Sequence, residues 1–135
     1  PLMSKNKDGV IRELMDVLAA TGAVIDREAA LSVVFAREKL GSTGLNDGIA
    51  VPHGKTDAVK DLAIALGIAP DGIEFDSMDG KASSLFFLIL APPDKSGPHI
   101  QALAEIAKLS RSRALCKAIV HARSSQDVVD LLRGE

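Results

Sequence analysis

Apolar residues at Val10, Ile11, Leu14, Val17 and Leu18 recur at the three- and four-residue spacing of an amphipathic helix and stop at Gly22. Asp26 stands where a helix cap belongs, ahead of a second helix whose apolar positions are Ala30, Val33, Val34 and then Ala36 to Leu40. The helical period breaks at a glycine-dense run, with Gly41, Gly44, Gly48 and Gly54 close together. Beyond it, Leu62 to Ala69 predicts a buried strand, Pro70-Asp71-Gly72 a turn, and Ile73 to Phe75 a short extended piece. Asp79-Gly80 predicts another turn, leading into a strand from Ser84 to Ala91. The unbroken apolar run Leu85-Phe86-Phe87-Leu88-Ile89-Leu90 suits a central strand covered on both faces. Pro92-Pro93 ends it. Ser96-Gly97-Pro98 opens a helix with Pro98 in its first turn and Ile100, Leu103, Ala104 and Ala107 as its apolar face. A further helix is expected over about Arg113 to Ala122, and Ser124-x-x-Asp127 resembles a capping box for a last helix ending near Arg133. Helices, then strands, then helices predict a single α/β domain over residues 1–135, a mixed sheet flanked by helices on both faces in a three-layer sandwich.

Composition narrows the class. A chain of 135 residues that is 47% hydrophobic is long and apolar enough for one sizeable core. The net charge of −2 argues against nucleic acid as a partner. Lys108, Arg111, Arg113, Lys117 and Arg123 are interleaved with apolar residues at helical spacing, which reads as a solvated helix face. Trp and Tyr are absent, so stacking platforms for bases or sugars are not expected. The single cysteine, Cys116, excludes an internal disulfide framework and fits a reducing compartment. No apolar run reaches the roughly 18 residues of a membrane span, and the start carries no signal-peptide pattern. A soluble cytoplasmic protein without membrane insertion is expected. Pro1 in place of an initiator methionine points to a processing scar or the edge of a fragment, which leaves attached domains open.

The candidate chemistry concentrates in Gly48-Ile49-Ala50-Val51-Pro52-His53-Gly54-Lys55. His53 lies between a proline and a glycine, short of other reactive side chains, a setting for a ligand or a nucleophile. Glycines nearby, Gly48 and Gly54 among them, let the backbone approach an anion and direct N–H groups at it. That combination favours a phosphoryl-handling histidine. His99 follows Pro98 at a helix start, where free N–H groups and the positive dipole end attract a dianionic phosphoryl group and disfavour a protonated imidazole. A neutral, donating His99 is expected. Arg37, near the end of the second helix, is a candidate guanidinium partner for phosphoryl oxygens. If His53 attacks, one ring nitrogen must keep its lone pair while the other donates to a fixed acceptor, for which a backbone carbonyl and Asp57 are candidates.

Arg37-Glu38-Lys39-Leu40-Gly41-Ser42-Thr43-Gly44, the Gly48 to Lys55 segment, Asp79-Gly80 before an apolar strand, and Pro98-His99 opening a helix together resemble the IIA domain of the bacterial phosphotransferase system. The resemblance is to the fructose, mannitol and nitrogen-regulatory branch and runs from about Val10 to Leu132. It implies a phosphoryl carrier, with His53 as the residue that takes the group from the phosphocarrier HPr and passes it to a IIB partner in sugar uptake. It further implies His99 as the second active-site histidine and Arg37 as the arginine that contacts phosphate. No cofactor or metal is implied.

Other readings fit less well. Gly48 to Thr56 superficially resembles a P-loop, but five residues separate its glycines where that motif has four, and Pro52 removes a needed N–H. His53, His99 and Cys116 show no ligand pair at close spacing on one element, which argues against zinc. Asp76 and Asp79 fit turn chemistry better than a carboxylate dyad, and His121 and Cys116 read as structural. The rival function is a regulatory module whose phosphorylation state controls a target protein without any sugar. Nearly two added negative charges on His53 would alter the surface a partner meets.

Overall fold

The computed structural model describes residues 2–44, 48–77, 79–94, 96–109, 111–122 and 126. The chain opens with α1 (Lys7–Ala20), capped by Asn6, whose side chain accepts the Gly9 N–H at 2.8 Å. Val10, Ile11, Leu14, Met15 and Leu18 form its buried stripe. Val17, grouped with that stripe by spacing, instead faces solvent, because Met15 completes the row one turn from Ile11 and Leu18. Helix α2 (Arg27–Leu40) is capped by Asp26 as expected, the carboxylate accepting the Ala29 N–H at 3.1 Å. Its buried residues are Ala30, Leu31 and Val34, whereas Leu40 at its end is exposed.

Two short strands follow, β1 (Ile49–Ala50) and β2 (His53–Lys55), both parallel to the same side of β4 (Ser83–Ala91). Ile49 pairs with Leu85 and His53 with Ile89, so the offset is constant. They are one edge strand interrupted at Val51-Pro52, where proline has no N–H to offer the ladder. On the other side of β4 lies β3 (Ala63–Ile73), antiparallel, from Ala63 opposite Leu90 to Ile68 opposite Leu85. The sheet is mixed, as expected. Pro70-Asp71-Gly72, read as a turn from sequence, instead continues β3 as an irregularity between Ile68 and Ile73, with Gly72 in the left-handed region at φ 79°. Nor is β3 buried throughout: Ala63, Ala65, Gly67 and Ala69 face inward while Ile64 is exposed. The expected turn at Asp79-Gly80 is present, with Gly80 N–H donating to Ser77 O.

Strand β4 divides the core. Phe86, Leu88 and Leu90 pack with α1 and α2, while Leu85, Phe87 and Ile89 pack on the opposite face. That second face is covered by α3 (Ser96–Leu109) and α4 (Arg113–Val120), through Ile106 and Ile119. The three-layer sandwich is therefore as expected. The orientation of α3 is not. Its inward face is His99, Ala102, Leu103, Ile106 and Leu109, and Ile100, Ala104 and Ala107 are exposed. A helix turns about 100° per residue, so placing the imidazole inside swings its neighbour Ile100 out. Lys108, Arg111 and Lys117 are exposed, matching a solvated face. The predicted last helix over 124–133 lies outside the described residues apart from the single helical residue 126.

Candidate functional site

Alternation along the edge strand decides what meets what. Ile49 and Val51 belong to the half-core under α3 and α4, and His53 continues that row. Ala50 belongs to the half-core under α2, and Gly54 continues the other row. His53 accordingly meets His99: their ring centroids are 5.5 Å apart and the planes stand at 73°, edge to face. Gly54 meets α2, and a Cβ built there would lie 2.6 Å from Val33 Cγ1. Only a residue without a side chain lets the helix pack that closely against the strand.

A pocket of about 340 Å³ lies at this junction. Arg37, His53, Lys55 and His99 supply its polar lining, and Val33, Ile100 and Leu103 its apolar lining, with Gly54 between. The His53 ring is half-buried, and its Nδ1 lies 2.7 Å from the Val51 carbonyl oxygen. A carbonyl can only accept, so Nδ1 carries the proton and the lone pair resides on Nε2. The backbone carbonyl, rather than Asp57, is thus the acceptor at Nδ1. His99 is only 3% exposed, and its Nδ1 has no hydrogen-bond partner among the described residues. Burial, with the neighbouring His53 and Lys55, pushes the His99 pKa below its ordinary value of 6.5, so the ring is neutral at pH 7.

Arg37 reaches the pocket from the last turn of α2, where its Nη1 donates to Gly41 O at 2.8 Å. A guanidinium has five N–H donors, so this bond leaves capacity for an anion. Gly48 does not join the pocket lining. It precedes β1 at the Leu85 end of β4, five residues and about 16 Å along the strand from the His53 position. Its glycine is explained by φ 81° and by Ser84 Oγ, 3.3 Å from where a Cβ would stand. Lys55 is a lining residue that sequence reasoning left unassigned. Its signal was available: two residues past His53 on a strand is the same face. Among the described residues there is no group of three or more histidine, cysteine, aspartate or glutamate side chains able to hold a metal. Cys116 is half-buried on α4, where Sγ donates to Leu109 O at 3.5 Å, and His121 is the exposed C-cap of that helix.

A sheet edge presenting one oriented imidazole to a second buried imidazole, with an arginine and a lysine around an open pocket, is the frame of a group-transfer protein. Residues 2–134 match the family model "Phosphoenolpyruvate-dependent sugar phosphotransferase system, EIIA 2", and the chain belongs to that family. It is 37% identical over 126 residues to a fructose-specific EIIA component of Haloferax volcanii, covering 93% of this chain and 82% of the relative. It is 36% identical over 129 residues to a fructose-specific EIIABC component of Bacillus subtilis, covering 96% of this chain but only 20% of that much longer relative. A nitrogen regulatory protein of Bradyrhizobium diazoefficiens is 34% identical over 124 residues, covering 90% of this chain and 81% of the relative. Among solved structures, nitrogen regulatory protein IIA-Ntr from Neisseria meningitidis superposes with a TM-score of 0.84 at 30% identity, covering 97% of this chain and 89% of that one. Enzyme IIAMTL of Escherichia coli, solved in complex with phosphorylated enzyme IIBMTL, superposes with a TM-score of 0.83 at 26% identity, covering 98% and 90%. The chain is thus a IIA phosphoryl-carrier domain. No helix among the described residues is long and apolar enough to cross a membrane.

Proposed function

We propose that His53 is the phosphoryl acceptor, taking the group from phospho-HPr and passing it to a IIB partner in the cytoplasm. The observation that carries this is the Val51 carbonyl on His53 Nδ1, which leaves the Nε2 lone pair for attack. In the step, Nε2 bonds to phosphorus as the bond from phosphorus to the donor imidazole breaks, and that electron pair returns to the donor nitrogen. The transferred group brings a charge of nearly −2. Arg37 and Lys55 offset it, and neutral His99 offers a ring N–H without adding a proton to be lost. Gly54 contributes its backbone at the same place. The similarity to a fructose-specific EIIA component favours sugar uptake as the physiological output.

The test is HPr-dependent labelling from phosphoenolpyruvate. Acid-labile label on the wild type, absent from His53→Ala, is the expected result; normal labelling of His53→Ala places the chemistry elsewhere. The similarity to nitrogen regulatory proteins supports a second reading, in which phosphorylation of His53 decides which target protein is bound. Capture of different partners by His53→Asp and His53→Ala supports that switch, and identical capture rejects it.

A further inference from the structure

A continuous hydrogen-bonded path runs from a buried carboxylate to the His53 ring. Glu38 sits one residue past Arg37 on α2, with its side chain 6% exposed. Its Oε1 accepts the Thr43 hydroxyl, and its Oε2 accepts the Thr43 N–H at 3.3 Å while pairing with Lys7 Nζ at 2.8 Å. Thr43 is itself buried, and its carbonyl accepts the Val51 N–H at 3.0 Å. The Val51 carbonyl then accepts from His53 Nδ1 at 2.7 Å.

Val51 needs this support because of where it stands. The Pro52 carbonyl accepts the Ile89 N–H, so Pro52 turns its backbone toward β4. By the alternation of a parallel ladder, Val51 turns both its N–H and its carbonyl away from β4, to the side where, among the described residues, the isolated antiparallel bridge of Gly44 with Ala50 lies and no named strand runs. Thr43 supplies the restraint on one side, and the imidazole uses the other. A buried carboxylate is a strong and directional anchor, and removing one partner leaves a buried acceptor unsatisfied.

We propose that Glu38 and Thr43 are positioning residues that act through Val51 to hold His53 in its Nδ1–H tautomer. The proposal deepens the reading of His53 as phosphoryl acceptor, and its first readout does not require phosphoryl transfer. In the full chain, the ring 15N shifts of His53 report the tautomer. Thr43→Val removes the hydroxyl at constant shape, Glu38→Gln weakens the anchor, and Thr43→Ser restores the hydroxyl. The wild type should be predominantly Nδ1–H, with Thr43→Val and Glu38→Gln shifted toward a tautomer mixture and Thr43→Ser returned to the wild-type ratio. Phosphoryl acceptance from phospho-HPr should fall on the order of 10- to 100-fold in Thr43→Val, the scale of a sub-ångström to 1 Å misplacement, and recover in Thr43→Ser. Wild-type tautomer ratios in both weakened variants overturn the proposal, even where their melting temperatures drop. Should Thr43→Val fail to fold, Glu38→Gln decides by the same ratio. A tautomer shift as expected, in a protein whose His53 never takes label, upholds the brace and rejects the acceptor reading.

Discussion

Replacing Gly54 by alanine tests whether this glycine serves the close approach of α2 or merely presents its N–H to an anion. The added Cβ would stand 2.6 Å from Val33 Cγ1 and 3.6 Å from both Val33 Cβ and Val34 Cγ2. Ordinary contacts begin near 3.4 Å, so α2 must retreat by most of an ångström or Val33 must leave its rotamer. Overpacking of this kind costs about 1–3 kcal/mol, and a displaced rotamer about 0.5–1.5 kcal/mol of that. Gly54 lies on strand β2 at a φ that is not positive, so no backbone strain adds to the figure. Taking about 2 kcal/mol, and an unfolding entropy of about 2.1 cal/mol/K per residue over the chain, the melting temperature should fall by roughly 7 °C. Calorimetry of four proteins checks the cause: wild type, Gly54→Ala, Val33→Ala and the double variant. Removing Val33 Cγ1 should relieve the clash, making the double variant more stable than the sum of the single losses by about 1 kcal/mol or more. A Gly54→Ala protein as stable as wild type, or strictly additive losses, would refute the packing argument.

Two further outcomes follow from the electrostatics of the pocket. The folded pKa of His99 is depressed, so the unfolded chain binds the extra proton between the ordinary value of 6.5 and the lower folded value. Stability is therefore complete above about pH 6.5 and declines below it, by up to about 1.4 kcal/mol per pH unit from this group. Urea titrations from pH 7.5 downward should show a shallower decline in His99→Gln, and equal slopes would mean that His99 is not the buried neutral base. Lys55→Gln should lower kcat/KM for phosphoryl acceptance about 3- to 10-fold, the scale of one partly solvated charge, and flatten its dependence on salt. An unchanged salt dependence would remove Lys55 from the field acting on the incoming group.

Much of this architecture is legible before any coordinates. The helix cap Asp26, the stop at Gly22 just past α1, and the six-residue apolar run in β4 announce themselves because each obeys a local rule: a side-chain acceptor, a left-handed glycine, two buried faces. Pro70-Asp71-Gly72 defeats such rules. Turn chemistry is present there, but pairing on both sides of the irregularity carries the strand through it. Helix α3 misleads for a related reason, since hydropathy favours Ile100 over His99 as the inward residue, whereas the helix buries His99 and leaves Ile100 exposed. At the site, His53, His99 and Arg37 do converge on one pocket. Gly48 stands apart because glycine density records backbone freedom without saying which glycine approaches a ligand. The path through Glu38, Thr43 and Val51 was hidden, since its links from Thr43 to Val51 and from Val51 to His53 run through backbone groups that every residue possesses.

The shared ownership of β4 has a mechanical consequence. Uncovering Leu85, Phe87 and Ile89, or Phe86, Leu88 and Leu90, would each forfeit roughly 5–9 kcal/mol of apolar burial, comparable with the whole stability of an ordinary domain. Neither pair of helices can lift away while the rest survives, so the molecule opens all at once or not at all, and the strand's amide protons stay shielded from exchange until it does. The His53 imidazole is bolted to that strand through the Pro52 carbonyl and the Ile89 N–H, and it inherits the stiffness of the last part of the protein to come undone.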